Sequence, residues 1–104
     1  MDAGDRVLRQ TTDPDGRSVV LLRRIWERKI VLSRPELGEH LDAVVEAVSA
    51  PDHAEADPLG RRRRFYKRSA GPSRWLMALV SYEQEPGRII TALANRKDPP
   101  RWRP

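Results

Sequence analysis

The chain contains no cysteine, which excludes disulfides, thiolate nucleophiles and cysteine-based zinc sites and suits a reducing compartment. Histidine is scarce too. His40 and His53 are the only two, and the carboxylates near them are scattered, so no metal site is expected. No glycine-rich loop is present to cradle a phosphate, and no serine sits in a nucleophile elbow. Long apolar runs are also missing. The longest, Val19–Leu22 and Trp75–Val80, fall far short of the ~18 residues that cross a bilayer, so no membrane span is expected. The acidic start MDAGDR has no apolar stretch of the kind a signal peptide needs, and a cytoplasmic location is expected. Aromatic residues make up only 6%, but three of them are tryptophans.

What the second half lacks is acid. Residues 1–60 carry eight Lys/Arg against twelve Asp/Glu, a net of −4; residues 61–104 carry twelve against three, a net of +9. Half of the stretch Arg61–Arg74, RRRRFYKRSAGPSR, is basic, with an aromatic pair at its centre. A chain of 104 residues is expected to form one domain, and positive charge gathered on one half suits a polyanion. RNA or DNA is the first candidate. A membrane-surface role would need an amphipathic basic helix, and this run does not have that pattern.

The pattern along the chain predicts an α+β fold. Residues 1–5 are expected to be frayed. Residues 6–24 form a hairpin around Asp13-Pro14-Asp15-Gly16, because Pro fixes φ and Gly accepts positive φ. Val19–Leu22 does not alternate, so the second strand is expected to be covered on both faces. Residues 25–50 hold two helices. In the first, Ile25, Trp26, Lys29 and Ile30 fall at helical spacing. The second begins at a capping box, Ser33-Arg34-Pro35-Glu36, and carries the apolar stripe Leu37, Leu41, Val44, Val45, Val48 before Ala50-Pro51 ends it. A polar connection follows, with a short edge strand near Ala54–Ala56. Residues 61–94 then form an antiparallel meander, and 95–104 a Pro/Arg-rich tail. The expected architecture is two helices packed on an antiparallel sheet of three to four strands.

The chemistry-bearing residues cluster on the basic strand. There Arg62, Arg64, Tyr66 and Arg68 share one face, and Arg61, Arg63, Phe65 and Lys67 the other. Phe65 is expected to enter the core, leaving Tyr66 among guanidinium groups on the open face. Guanidinium forks hold phosphate oxygens, and a phenol stacks on a base or moves a proton. The plainer alternative is an edge strand whose charges block edge pairing, but four consecutive arginines exceed that need. Arg74 and Arg88 extend the basic surface. Lys29 and Arg34 either turn towards the sheet or are ordinary solvated cations. Thr91 is either a site hydroxyl or a β-favouring filler. Trp26 and Trp75 suit a core, and Trp102 either docks back or meets a partner.

From Trp26 to about Trp102 the chain resembles the Barnase/EndoU/colicin/RelE-like (BECR-fold) nuclease domains of prokaryotes and phages. The matching stretches are a Trp-containing helix running into "RPEL" (Arg34–Leu37), a helix ending Ala50-Pro51-Asp52, "RRFYKR" (Arg63–Arg68), "WLMALVSYE" (Trp75–Glu83) and "GRIITAL" (Gly87–Leu93). The resemblance implies helices on an antiparallel sheet, a cleft on the open face, and metal-independent RNA cleavage with no cofactor, often by a toxin countered by an acidic antitoxin or immunity protein. It places catalytic positions at Lys29, where many relatives have His, and at Arg34, Tyr66 and Thr91. Nucleic-acid contacts fall to Arg62, Arg64, Arg68, Arg74 and Arg88.

A small ribonuclease is therefore expected. The RNA 2′-hydroxyl would attack the neighbouring phosphorus, with Lys29 or Tyr66 as acid or base. Arg34, Arg62 and Arg64 would hold the phosphate, Thr91 would position an oxygen or a water, and neighbouring cations would lower the Tyr66 pKa. The alternatives are a non-catalytic nucleic-acid- or partner-binding module, whose binding would fall steeply with salt, and a protein-interaction domain with no RNA affinity.

Overall fold

Asp13 sets the first turn. Its Oδ1 accepts hydrogen bonds from the amides of Asp15 (3.0 Å) and Arg17 (2.9 Å), and Gly16 takes φ +86°. The computed structural model, which describes residues 6–104, accordingly opens with a hairpin of β1 (Val7–Thr12) and β2 (Ser18–Leu22). The expectation for residues 1–5 lies outside the described residues. A helical segment, α1 (residues 23–33), follows directly. Its middle, Trp26–Ile30, is a π-helical turn flanked by α-helical Arg23–Ile25 and Val31–Ser33. Trp26 and Ile30 are buried at the two ends of that turn.

The capping box does not form. Ser33 ends α1, and Arg34, at φ −138°, ψ 75°, has left the helical region, which a residue before proline avoids. Pro35–Leu37 makes one 3-10 turn that drives Leu37 fully into the core. The second helix, α2 (Leu41–Ser49), starts only after His40. Its stripe is Val44, Ala47 and Val48. Each buried valine contributes about 1.5–3 kcal/mol relative to exposure. Lys67 Nζ donates to the Ala50 carbonyl at 2.8 Å, which places a cation at the negative end of α2.

Four more strands follow: β3 (His53–Ala56), β4 (Arg62–Arg68), β5 (Trp75–Ser81) and β6 (Gly87–Asn95). The sheet differs from the expected three to four antiparallel strands. It is a single six-stranded mixed sheet in the order β1-β2-β6-β5-β4-β3. The hairpin joins the meander because β2 lies parallel to β6, through Val19↔Gly87 and Val20↔Arg88. A strand as apolar as Val19–Leu22 cannot remain in an isolated two-stranded ribbon, and β6 covers its free side.

The helices cover one face of this sheet. Trp26, Ile30, Leu37, Val44 and Val48 pack there against Val19, Leu21, Phe65, Leu76, Val80 and Ile89. The opposite face carries a smaller apolar cluster and the candidate site. No helix among the described residues is long and apolar enough to cross a membrane.

Candidate functional site

Alternation along β4 separates the neighbours Phe65 and Tyr66. Phe65 belongs to the core beneath the helices, and Tyr66 clusters with Trp75 and Met77 on the open face. Register then builds that face in rows. Glu55, Arg64, Leu79 and Thr91 stand opposite one another across β3, β4, β5 and β6. His53, Tyr66, Met77 and Leu93 form the next row. Strands lie about 4.8 Å apart, so Arg64 and Thr91 are about 10 Å apart along their row.

A bulge sets the place of Thr91. The register shifts between Leu79↔Thr91 and Val80↔Ile89, leaving Ile90 as the extra residue on β6. Without it, Ile89 and Thr91 would not fall on opposite sides while matching Val80 in the core and Leu79 on the open face.

These rows enclose a depression of about 360 Å³. Met77, Leu79 and Leu93 give it apolar lining, and Asp57, Arg64, Tyr66, Thr91 and Asn95 give it polar groups. Arg64 Nε donates to Asp57 Oδ1 at 2.7 Å, and the Leu59 amide donates to Asp57 Oδ2 at 3.0 Å. Burial pushes the Asp57 carboxyl up, but the Leu59 amide and the Arg64 guanidinium outweigh it and hold it below the usual carboxylate range. The same hydrogen bond raises the Arg64 pKa further, so this guanidinium is both charged and aimed.

Tyr66 departs from expectation. Its pKa is raised, not lowered: burial comes first, the facing Glu55 carboxylate second, and Arg64 offsets only part. Near neutral pH the phenol keeps its proton, so it is not a phenolate base. Behind it on β3, Glu55 Oε1 and His53 Nε2 are buried without a hydrogen-bond partner. The His53 ring lies 5.7 Å from that of Tyr66.

The tail closes one side of the face. Trp102 meets Trp75 edge-on, with ring centroids 4.8 Å apart, and Trp75 Nε1 donates to Asp98 Oδ1 at 2.9 Å. The Arg68 guanidinium lies 5.9 Å from both indole rings. Trp75, fully buried, therefore supports the open face and not the helical core.

Of the expected site residues, Arg64, Tyr66 and Thr91 come together around the depression. Arg62 and Arg88 share the row that passes through Ser81, on the same face at the start of β4. Arg74 precedes β5, exposed, with Nε 3.7 Å from Asp98 Oδ1. Lys29 is exposed on α1, and Arg34 lies between α1 and the 3-10 turn; both belong to the helical layer and neither lines the depression. Glu55, Asp57 and His53 are the residues that sequence reasoning missed, whereas Trp102 docks back against Trp75, one of its two expected alternatives. Alternation through His53, Glu55 and Asp57, on and beside the short edge strand expected near Ala54–Ala56, was the available signal. Among the described residues, no group of three or more His, Asp or Glu side chains is placed to hold a metal ion. No protein-family model matches the chain, and neither a curated protein nor a solved structure is significantly similar to it.

Proposed function

We propose that the chain is a metal-independent ribonuclease that works on the open face of its sheet. The observation that carries this is the meeting of Arg64, Tyr66 and Thr91 around one depression that Met77, Leu79 and Leu93 line beside them. Arg64 binds the phosphate and stabilises the charge that grows on it, and Thr91 hydrogen-bonds a phosphate oxygen. The RNA 2′-hydroxyl gives its proton to the Tyr66 oxygen as Tyr66 passes its own proton to Glu55. The 2′-oxygen bonds to phosphorus, the bond to the 5′-oxygen breaks, and that oxygen takes a proton from water. The products are a 2′,3′-cyclic phosphate and a 5′-hydroxyl. A neutral phenol with an unpartnered carboxylate oxygen behind it suits such a relay.

The resemblance to BECR-fold nucleases supports the same face and the same reaction. It also supports a toxin-like role with an acidic antitoxin or immunity protein, which would match the net +9 of residues 61–104. RNA incubated in EDTA tests the activity. Tyr66→Phe and Glu55→Gln are expected to slow cleavage at least ~100-fold, as loss of proton transfer does, with RNA affinity held within severalfold. Equal cleavage by all three proteins would refute it.

One observation favours a second reading, a binding module without turnover. Asp57 already engages the Arg64 guanidinium, leaving less of its charge for a transition state. That reading predicts steeply salt-dependent RNA binding and intact RNA after prolonged incubation.

A further inference from the structure

A second depression, of about 430 Å³, opens at the start of β4. Arg17, Arg61, Arg62, Arg63, Gly60 and Tyr82 line it, and Asp57 is a wall of both this depression and the open-face one. We propose that it is a second phosphate subsite, one that holds a neighbouring phosphate of the same RNA strand. This rests on the open face holding RNA.

The charges are arranged to leave donors free. Asp13 takes hydrogen bonds from Tyr82 Oη (2.6 Å) and Arg17 Nε (3.2 Å). Asp15 takes one from Arg63 Nη1 (3.1 Å). Asp57 is engaged by Arg64, and Glu83 Oε1 accepts from the Arg61 amide at 3.2 Å. Every carboxylate around the depression thus has a partner. Among the described residues, the Arg61 and Arg62 side chains make no hydrogen bond or ion pair within 4.0 Å, although the Arg62 charge acts on Asp57, so the N–H donors of two guanidinium forks remain for an incoming anion.

The walls are also fixed in shape. Gly60 takes φ +59°, and a Cβ there would stand 3.0 Å from Glu83 Oε1. The Tyr82 amide donates to the Arg61 carbonyl at 2.7 Å, and the Arg17 guanidinium covers the Tyr82 ring at 4.0 Å. Arg62 and Arg64 share one face of β4 and are two residues apart, about 7 Å along the strand. That matches the step between successive phosphates of an extended strand. The continuity through Asp57 favours a nucleic acid over an acidic peptide.

The test uses the full chain carrying Tyr66→Phe, so that RNA is bound without turnover. Affinity for a single-stranded RNA oligonucleotide is measured against salt, with and without Arg61→Ala and Arg62→Ala together. Losing one phosphate contact is expected to reduce the slope of log K against log salt by about 0.7. Arg28→Ala, an equal kind of charge loss on exposed α1, is expected to leave the slope unchanged. An unchanged melting temperature confirms that the variants fold. A single neutral methylphosphonate linkage is then walked along the oligonucleotide, with the arginines intact. Two neighbouring sensitive positions are expected, one of which disappears in the Arg61/Arg62 variant. A variant slope equal to that of Arg28→Ala, or only one sensitive position, overturns the subsite while the open-face reading stands. Polyglutamate competing as well as RNA of equal charge would assign the depression to an acidic protein instead. No RNA binding by any of the proteins defeats both.

Discussion

Arg64 Nε and Asp57 Oδ1 meet at 2.7 Å in the wall between two depressions, one on the open face of the sheet and one at the start of β4. The pair aims a guanidinium at the open-face site and at the same time cancels part of its charge. Asp57→Asn separates these effects. RNA affinity is expected to rise severalfold, because a negative wall is removed, while cleavage slows about tenfold or more because Arg64 loses its orientation. Binding titrations and single-turnover cleavage measure the two separately. Unchanged cleavage would mean that Asp57 does not position Arg64.

The two tyrosines give a direct electrostatic check. Both Tyr66 and Tyr82 are raised above 10.0, each chiefly by burial and next by a facing carboxylate, Glu55 for Tyr66 and Asp13 for Tyr82. A group that must lose its proton to charge, and is held neutral by the fold, contributes stability below its unfolded pKa and loses it as pH rises through the folded one. Ultraviolet titration should therefore show less phenolate at pH 10 in the folded chain than in denaturant, where tyrosine is about half-ionised. Half-ionisation at pH 10 in the folded state would contradict the burial of Tyr66.

Asp13 makes the hairpin tip acid-sensitive. Burial raises its carboxyl pKa, but the Tyr82 hydroxyl, the Arg17 amide and charge, and the Asp15 amide together hold it below 3.8. Its contribution is thus fully present above the unfolded value and is lost as pH falls through the folded one. Asp13→Ala is expected to cost on the order of 2–3 kcal/mol at pH 7, and this difference should shrink towards pH 2. Urea unfolding at a series of pH values reads it; a difference independent of pH would argue against the network.

Trp102 is the tail's anchor. Removing it by Trp102→Ala should lower stability by about 1 kcal/mol, the scale of an aromatic pair. It should also shift Trp75 fluorescence to longer wavelength as the open face takes up water. Unchanged emission would show that the tail does not cover Trp75.

Much of this was legible in the chain. Alternation in RRFYKR separates Phe65 from Tyr66, and the apolar run at Trp75 marks a strand covered on both sides. Long-range pairing was not legible. Nothing local to Val19 or Gly87 announces that β2 lies parallel to β6. Thr91 reaches the site through a one-residue bulge, and a single residue of register decides which face a side chain occupies. Lys29 illustrates the limit of periodicity. A π-helical turn carries Trp26 and Ile30 into the core and leaves Lys29 exposed, although all three fit helical spacing. The Tyr66 pKa direction is set first by burial and next by Glu55, a residue of another strand, while local charge suggested the opposite sign. The failed capping box shows local preferences in competition: the residue before proline left the helical region, and burial of Leu37 fixed a 3-10 turn.

The central claim is that RNA lies on the sheet face away from the helices. Backbone amide chemical shifts, followed while a single-stranded RNA oligonucleotide is titrated into the Tyr66→Phe chain, test it most directly. The account predicts that the largest changes fall at Arg62, Arg64, Thr91 and Leu93, with Arg28, Lys29 and Arg34 unmoved. Changes centred on α1 and Arg34, with β4 and β6 silent, would contradict it.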